Sequence, residues 1–83
     1  MLYTRSKTYR GDGLAIAVLK NALRQCRRTA DLTQADLAKA LGVSRQTVNS
    51  IETGRYQPSI ELALRLAGYF SRPLEELFWL EED

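Results

Sequence analysis

Histidine is absent from the 83-residue chain, and Cys26 is the only cysteine. A structural zinc site needs several Cys or His ligands, so zinc is not expected, and no cofactor is implied. One thiol cannot close an intramolecular disulfide, which fits a reducing, cytoplasmic home. The longest unbroken apolar run, Leu14 to Leu19, is far too short to span a membrane, and no signal-peptide pattern precedes it. Only two prolines occur, Pro58 and Pro73, both late in the chain. Enzyme chemistry is poorly provided for: there is no phosphate loop of the G-x-x-x-x-G-K type, and the acidic residues near the C-terminus are consecutive rather than a convergent pair.

Apolar residues make up 45% of the chain, an ordinary value that points to one small folded domain. The net charge of +2 hides an uneven distribution. Residues 1–55 hold ten Lys or Arg against four Asp or Glu, a net of +6, whereas residues 56–83 hold two against six, a net of −4. A basic front and an acidic end suit a protein that meets a polyanion with one side.

The most informative stretch is Gln34 to Thr53, QADLAKALGVSRQTVNSIET. Its spacing predicts two short helices, Gln34 to Leu41 and Ser44 to Thr53, joined by a tight turn. Leu37, Leu41, Val43, Val48 and Ile51 can face one core, and Ala38 is small where the helices must cross. Gly42 supplies the left-handed residue that ends the first helix, and Ser44 can cap the second. This is the pattern of a helix-turn-helix. At 100° per residue, Val48, Ile51 and Glu52 of the second helix point one way. Gln46, Ser50 and Thr53 point the other, with Asn49 and Thr47 on the flanks. Arg45 lies in the first turn, where it can reach past the helix end. Arg can hold a guanine edge with two hydrogen bonds, and Gln or Asn an adenine edge. Arg45, Gln46, Asn49 and Ser50 are therefore the candidate base contacts. Thr33 and Gln34, at a helix N-terminus whose free N–H groups favour phosphate, are candidate backbone contacts, together with Ser44 and Thr47.

The run LTQADLAKALGVSRQTVNSIETGRYQPS, Leu32 to Ser59, closely resembles the Xre family, which is related to the phage repressor and Cro proteins. The resemblance extends roughly over residues 14 to 78. It implies an all-α, five-helix bundle of the lambda-repressor-like DNA-binding type with a central helix-turn-helix. It also implies that Gln34 meets the DNA backbone, and that Arg55, the basic residue after Gly54, meets phosphate. Relatives often carry Gly just before Leu32; here it is Asp31, which tolerates the left-handed conformation better than most residues.

The remaining elements are read around this centre. Residues 1–12 form an N-terminal arm in which Arg5, Lys7 and Arg10 mix with Tyr3 and Tyr9. It is either a basic arm touching phosphate or a minor groove, or a frayed terminus or short strand. The domain proper spans 13–80, and 81–83 form a solvated acidic tail. After Gly11-Asp12-Gly13 a long helix is expected to about Ala30, with Ile16, Leu19, Leu23, Cys26 and Ala30 as its apolar stripe. Glu52 points inward and needs a partner. Arg27, at the border of that stripe, is the candidate, and the resemblance supports such a structural ion pair. Ser59 should cap a fourth helix, Ile60 to Phe70, burying Ile60, Ala63, Leu66, Ala67 and Phe70. A last short helix begins with Pro73 in its first turn. Leu77, Phe78, Trp79 and Leu80 near its end exceed what the core needs. They are expected to form a homodimer contact with part of helix four, the alternative being that Trp79 folds back on the monomer. The function expected from these features is a dimeric, sequence-specific regulator, most simply a repressor, bound to double-stranded DNA. The alternative is an antitoxin-like module that masks a protein partner.

Overall fold

The computed structural model describes residues 17–82, so the expected N-terminal arm lies outside the described residues. The order is β1 (Ala17–Asn21), α1 (Leu23–Thr29), α2 (Gln34–Leu41), α3 (Arg45–Glu52), α4 (Ile60–Tyr69), α5 (Leu74–Leu77) and β2 (Phe78–Glu82). Among the described residues there are five helices, so the all-α expectation holds only approximately. β1 and β2 form a two-stranded antiparallel sheet running from Ala17↔Glu82 to Asn21↔Phe78.

The expected long first helix is therefore replaced, over its described part, by a strand and a seven-residue helix. A three-and-four apolar spacing can also be satisfied by separate elements that face one core. Leu19 packs on that core from β1, and Leu23 and Cys26 from α1, while Ala30 is exposed. Asn21 makes the corner. Its Oδ1 accepts from the Leu23 N–H (3.0 Å) and its Nδ2 donates to the Ile51 carbonyl (3.0 Å); Ala22, at the N-cap of α1, has no side-chain acceptor to offer. The Ala22 N–H donates to the Leu77 carbonyl (3.0 Å), tying the start of α1 to the end of α5.

Leu23, Leu37, Val48, Ile51, Leu66 and Leu77 are essentially inaccessible and form the centre of the core, which α1, α2, α3, α4 and α5 all share. The α4 stripe differs from expectation: Leu62 is buried, whereas Ile60 is 68% exposed. Leu62, Ala63, Leu66 and Ala67 repeat at the four-residue spacing of one helix face, and Ile60 falls to its side in the first turn. Ser59 caps this helix through the Leu62 N–H (3.1 Å). Pro73 stands at the N-cap of α5 rather than within its first turn, and α5 is only four residues long. Its continuation is β2. Glu81 and Glu82, expected in a tail, continue that strand.

Candidate nucleic-acid interface

α2 and α3 are joined through Gly42 and Val43. Gly42 adopts φ +72°, the left-handed region where a side chain is strained, and the Val43 N–H returns to the Ala38 carbonyl (3.0 Å). Ser44 is the N-cap of α3: its Oγ accepts from the Thr47 N–H (3.0 Å) and lies 2.9 Å from the Thr47 hydroxyl. Thr33 and Asp36 form a reciprocal capping box at the start of α2. The Asp36 carboxyl is held below its ordinary pKa, first by the Thr33 main-chain N–H and then by the Thr33 hydroxyl. α3 ends at Thr53, and Gly54, at φ +80°, lets the chain fold back so that the N–H groups of Arg55 and Tyr56 both donate to the Ser50 carbonyl (2.9 and 3.2 Å).

These turns leave one side of α3 open. Val48 and Ile51 are buried, Arg45 and Gln46 are exposed, and Thr47, Asn49 and Ser50 are half-buried along the margin. Thr33, Ser44 and Arg55 are exposed near the ends of the two helices, and Gln34 is half-buried between them. α3 carries one acidic residue, Glu52, whose side chain has no exposed surface. The open side is therefore polar and free of negative charge.

Beneath it lies a connected set of hydrogen bonds. The Arg27 Nε and a terminal nitrogen donate to the two Glu52 oxygens (2.6 and 3.1 Å), while the other terminal nitrogen donates to the Leu32 carbonyl (2.8 Å). Arg24, half-exposed, adds a bond to Glu52 Oε1 (3.3 Å). Gln34 Nε2 donates both to Glu52 Oε1 (3.0 Å) and to Asn49 Oδ1 (3.1 Å). Burial pushes the Glu52 carboxyl up, but the bonds from Arg27, Gln34 and Arg24 outweigh it and hold the group below the usual glutamate range. The bond to Glu52 likewise raises the Arg27 guanidinium against the effect of its own burial. Asp31 takes φ +61° beyond the end of α1, where the N–H groups of Asp31 and Leu32 return to the carbonyls of Arg28 (2.9 Å) and Arg27 (3.1 Å).

The structure thus brings Arg27 together with Glu52, and Gln34 together with Asn49. Leu77 and Phe78 lie in the core of the chain itself, so of the four expected dimer residues only half-buried Trp79 and exposed Leu80 present surface. Three supporting residues are not apparent from the sequence. Asn21 and Arg24 brace α3 from the β1–α1 corner, and Arg65 of α4 donates to the Leu41 carbonyl (2.7 Å) at the end of α2. Each bond spans at least 24 positions, and no local pattern marks it.

Two short helices at this turn, with a polar, acid-free face on the second, define the helix-turn-helix class. The helix-turn-helix family model matches residues 23–77. The chain is 49% identical over 65 residues to an uncharacterized HTH-type transcriptional regulator of Methanocaldococcus jannaschii, covering 78% of this chain and 98% of that one. It is 43% identical over 65 residues to another from Bacillus subtilis, with the same coverage. Among solved structures it is similar to the SOS-response transcriptional repressor LexA of Eubacterium rectale, with a TM-score of 0.62 and 31% identity over 65% of this chain and 57% of the repressor's. The chain belongs to the Xre-type helix-turn-helix family of transcriptional regulators.

Proposed function

We propose that the protein is a sequence-specific, double-stranded DNA-binding regulator, acting as a dimeric repressor on a palindromic operator. The observation that carries this reading is the open face of α3, where Arg45 and Gln46 are exposed while the only acid of the helix is enclosed. Placed in a major groove, Arg45 would hold a guanine edge and Gln46 an adenine edge, with Asn49 and Ser50 reading beside them. Thr33, Ser44, Thr47 and Arg55 flank that face and would meet phosphate. Gln34 would do so through its main-chain N–H at the first position of α2, since its side-chain nitrogen is committed within the protein. The repressor assignment draws on the likeness to LexA. The dimer draws on the apolar surface left by Leu80, Ile60, Leu64 and Tyr69.

Selection of bound sites from random duplex DNA tests the whole reading. A two-fold motif with half-site centres about 34 Å apart, one helical turn, is expected from a symmetric pair of α3 helices. A folded sample that enriches no duplex sequence, even at low salt, would overturn it. Enrichment of a single unrepeated half-site would overturn the dimer alone.

A further inference from the structure

We infer that Gln34 is a positioning residue that sets which bases Asn49 reads, turning Asn49 into a hydrogen-bond donor toward guanine or thymine rather than a two-point reader of adenine. This rests on the DNA-binding reading above and deepens it. The argument starts at Glu52. An ionised carboxylate only accepts hydrogen bonds, and the guanidinium groups of Arg27 and Arg24 on its two oxygens favour that ionised form. The Gln34 atom 3.0 Å from Glu52 Oε1 must then be its amide nitrogen. The second hydrogen of that nitrogen points at Asn49, 3.1 Å away, so the Asn49 atom that receives it must be its carbonyl oxygen. One buried charge therefore fixes the orientation of two successive amides.

The consequence appears at the open face. Asn49 Oδ1 is aimed at the start of α2, and Asn49 Nδ2 has no protein partner among the described residues. No buried side-chain nitrogen or oxygen among those residues lacks a partner, so Nδ2 is open to solvent. Reading adenine with both ends of an Asn amide requires the oxygen to face the adenine amino group. Here that oxygen is turned away, and the amide offers N–H alone. Guanine presents two acceptors, N7 and O6, and thymine presents O4. Cytosine places only an amino donor in the groove; adenine offers N7, but its neighbouring amino donor, left without the Asn49 oxygen, would oppose the Asn49 N–H.

Site selection on wild type and on the Asn49→Ala, Gln34→Ala and Gln34→Met variants tests this. Asn49→Ala should flatten one position per half-site, and in a crystal of the wild-type protein on its selected site Asn49 Nδ2 should face guanine or thymine at that base pair. Both Gln34 variants free the Asn49 oxygen, and Gln34→Met keeps the side-chain length. They should shift that same position toward adenine by about tenfold while leaving the rest of the motif in place. The inference is overturned if Asn49 Nδ2 faces adenine or cytosine in that crystal, or if Asn49→Ala flattens no position. A uniform loss of affinity with an unchanged motif in the Gln34 variants also overturns it, because that is what a purely structural Gln34 side chain, or one that itself met phosphate, would do. The first two readouts do not depend on how well the Gln34 variants fold. A wild type that selects no motif at all removes the DNA-binding reading itself, an outcome distinct from a motif that ignores Gln34.

Discussion

Glu52 receives hydrogen bonds from three residues, and its side chain has no exposed surface. A charge in that position is stable only while its partners remain. Arg27→Met would leave the carboxylate enclosed with the half-exposed Arg24 and the Gln34 amide as its remaining donors, and is expected to destabilise the fold by roughly 3–5 kcal/mol. Arg27→Met combined with Glu52→Leu removes both charges and should recover much of that loss, since buried pairs are often replaceable by apolar residues. Urea midpoints for the two variants separate the cases. Acid acts on the same group. Because the Glu52 carboxyl sits below its ordinary value when folded, its contribution is complete above the unfolded-state pKa, about 4.3, and fades as pH falls through the lower folded value. Asp36 has the same sign through its capping box. Urea midpoints should therefore hold steady from neutral pH down to about 5 and then drop; a midpoint that rose on acidification would contradict the pair. Gln46 has the opposite character. It is exposed and has no protein partner among the described residues, so Gln46→Ala should leave the urea midpoint nearly unchanged while altering operator preference, at about 1–3 kcal/mol per lost base contact.

At the scale of the element, the turn between α2 and α3 depends on two small residues. Gly42 has open space where a side chain would go, so Gly42→Ala meets only backbone strain at φ +72° and should cost about 1–2 kcal/mol. Ser44→Ala removes the acceptor for the Thr47 N–H and should cost about 1 kcal/mol. Thermal or urea unfolding measures both, and a neutral Gly42→Ala would mean that the turn adopts another conformation. These features are legible in the sequence because caps, glycines and apolar spacing act within a few residues. The two-stranded sheet is not. Ala17 pairs with Glu82, and nothing near either residue announces the other. The stretch preceding Leu23 satisfies a helical period about as well as a strand, so only its distant partner decides between them. The strand also explains the last helix: Phe78 is drawn into the core opposite Asn21, which ends α5 after one turn. Within the candidate site the residue types were readable from the second helix, but the bond from Gln34 to Asn49 depends on how α2 and α3 cross. That crossing joins two residues far apart in the sequence into one hydrogen-bonded pair.

At the scale of the molecule, basic and acidic residues are distributed unevenly. Arg24, Arg28, Lys39, Arg45 and Arg55 are exposed on or around α1, α2 and α3, while Glu61, Glu75, Glu76 and Glu81 are exposed on α4, α5 and β2. A protein so arranged would approach a polyanion in a preferred orientation, and its affinity would fall steeply with salt as counterions are released from the phosphates. This makes Arg55 a counter of protomers. It follows Gly54 in an exposed loop, and its main-chain N–H is bonded to the Ser50 carbonyl, so its position is held by the backbone rather than by its side chain. Arg55→Gln should then leave folding intact and weaken all DNA sequences alike. Each phosphate contact contributes about 0.9 to the slope of log affinity against log salt. Losing Arg55 should reduce the magnitude of that slope by about 0.9 if one protomer binds and by about 1.8 if two bind together. Titration of a selected site across a range of salt concentrations, for wild type and variant, distinguishes the two. A change near 1.8 supports the dimeric complex, a change near 0.9 supports a monomeric one, and an unchanged slope removes Arg55 from the phosphate contacts altogether.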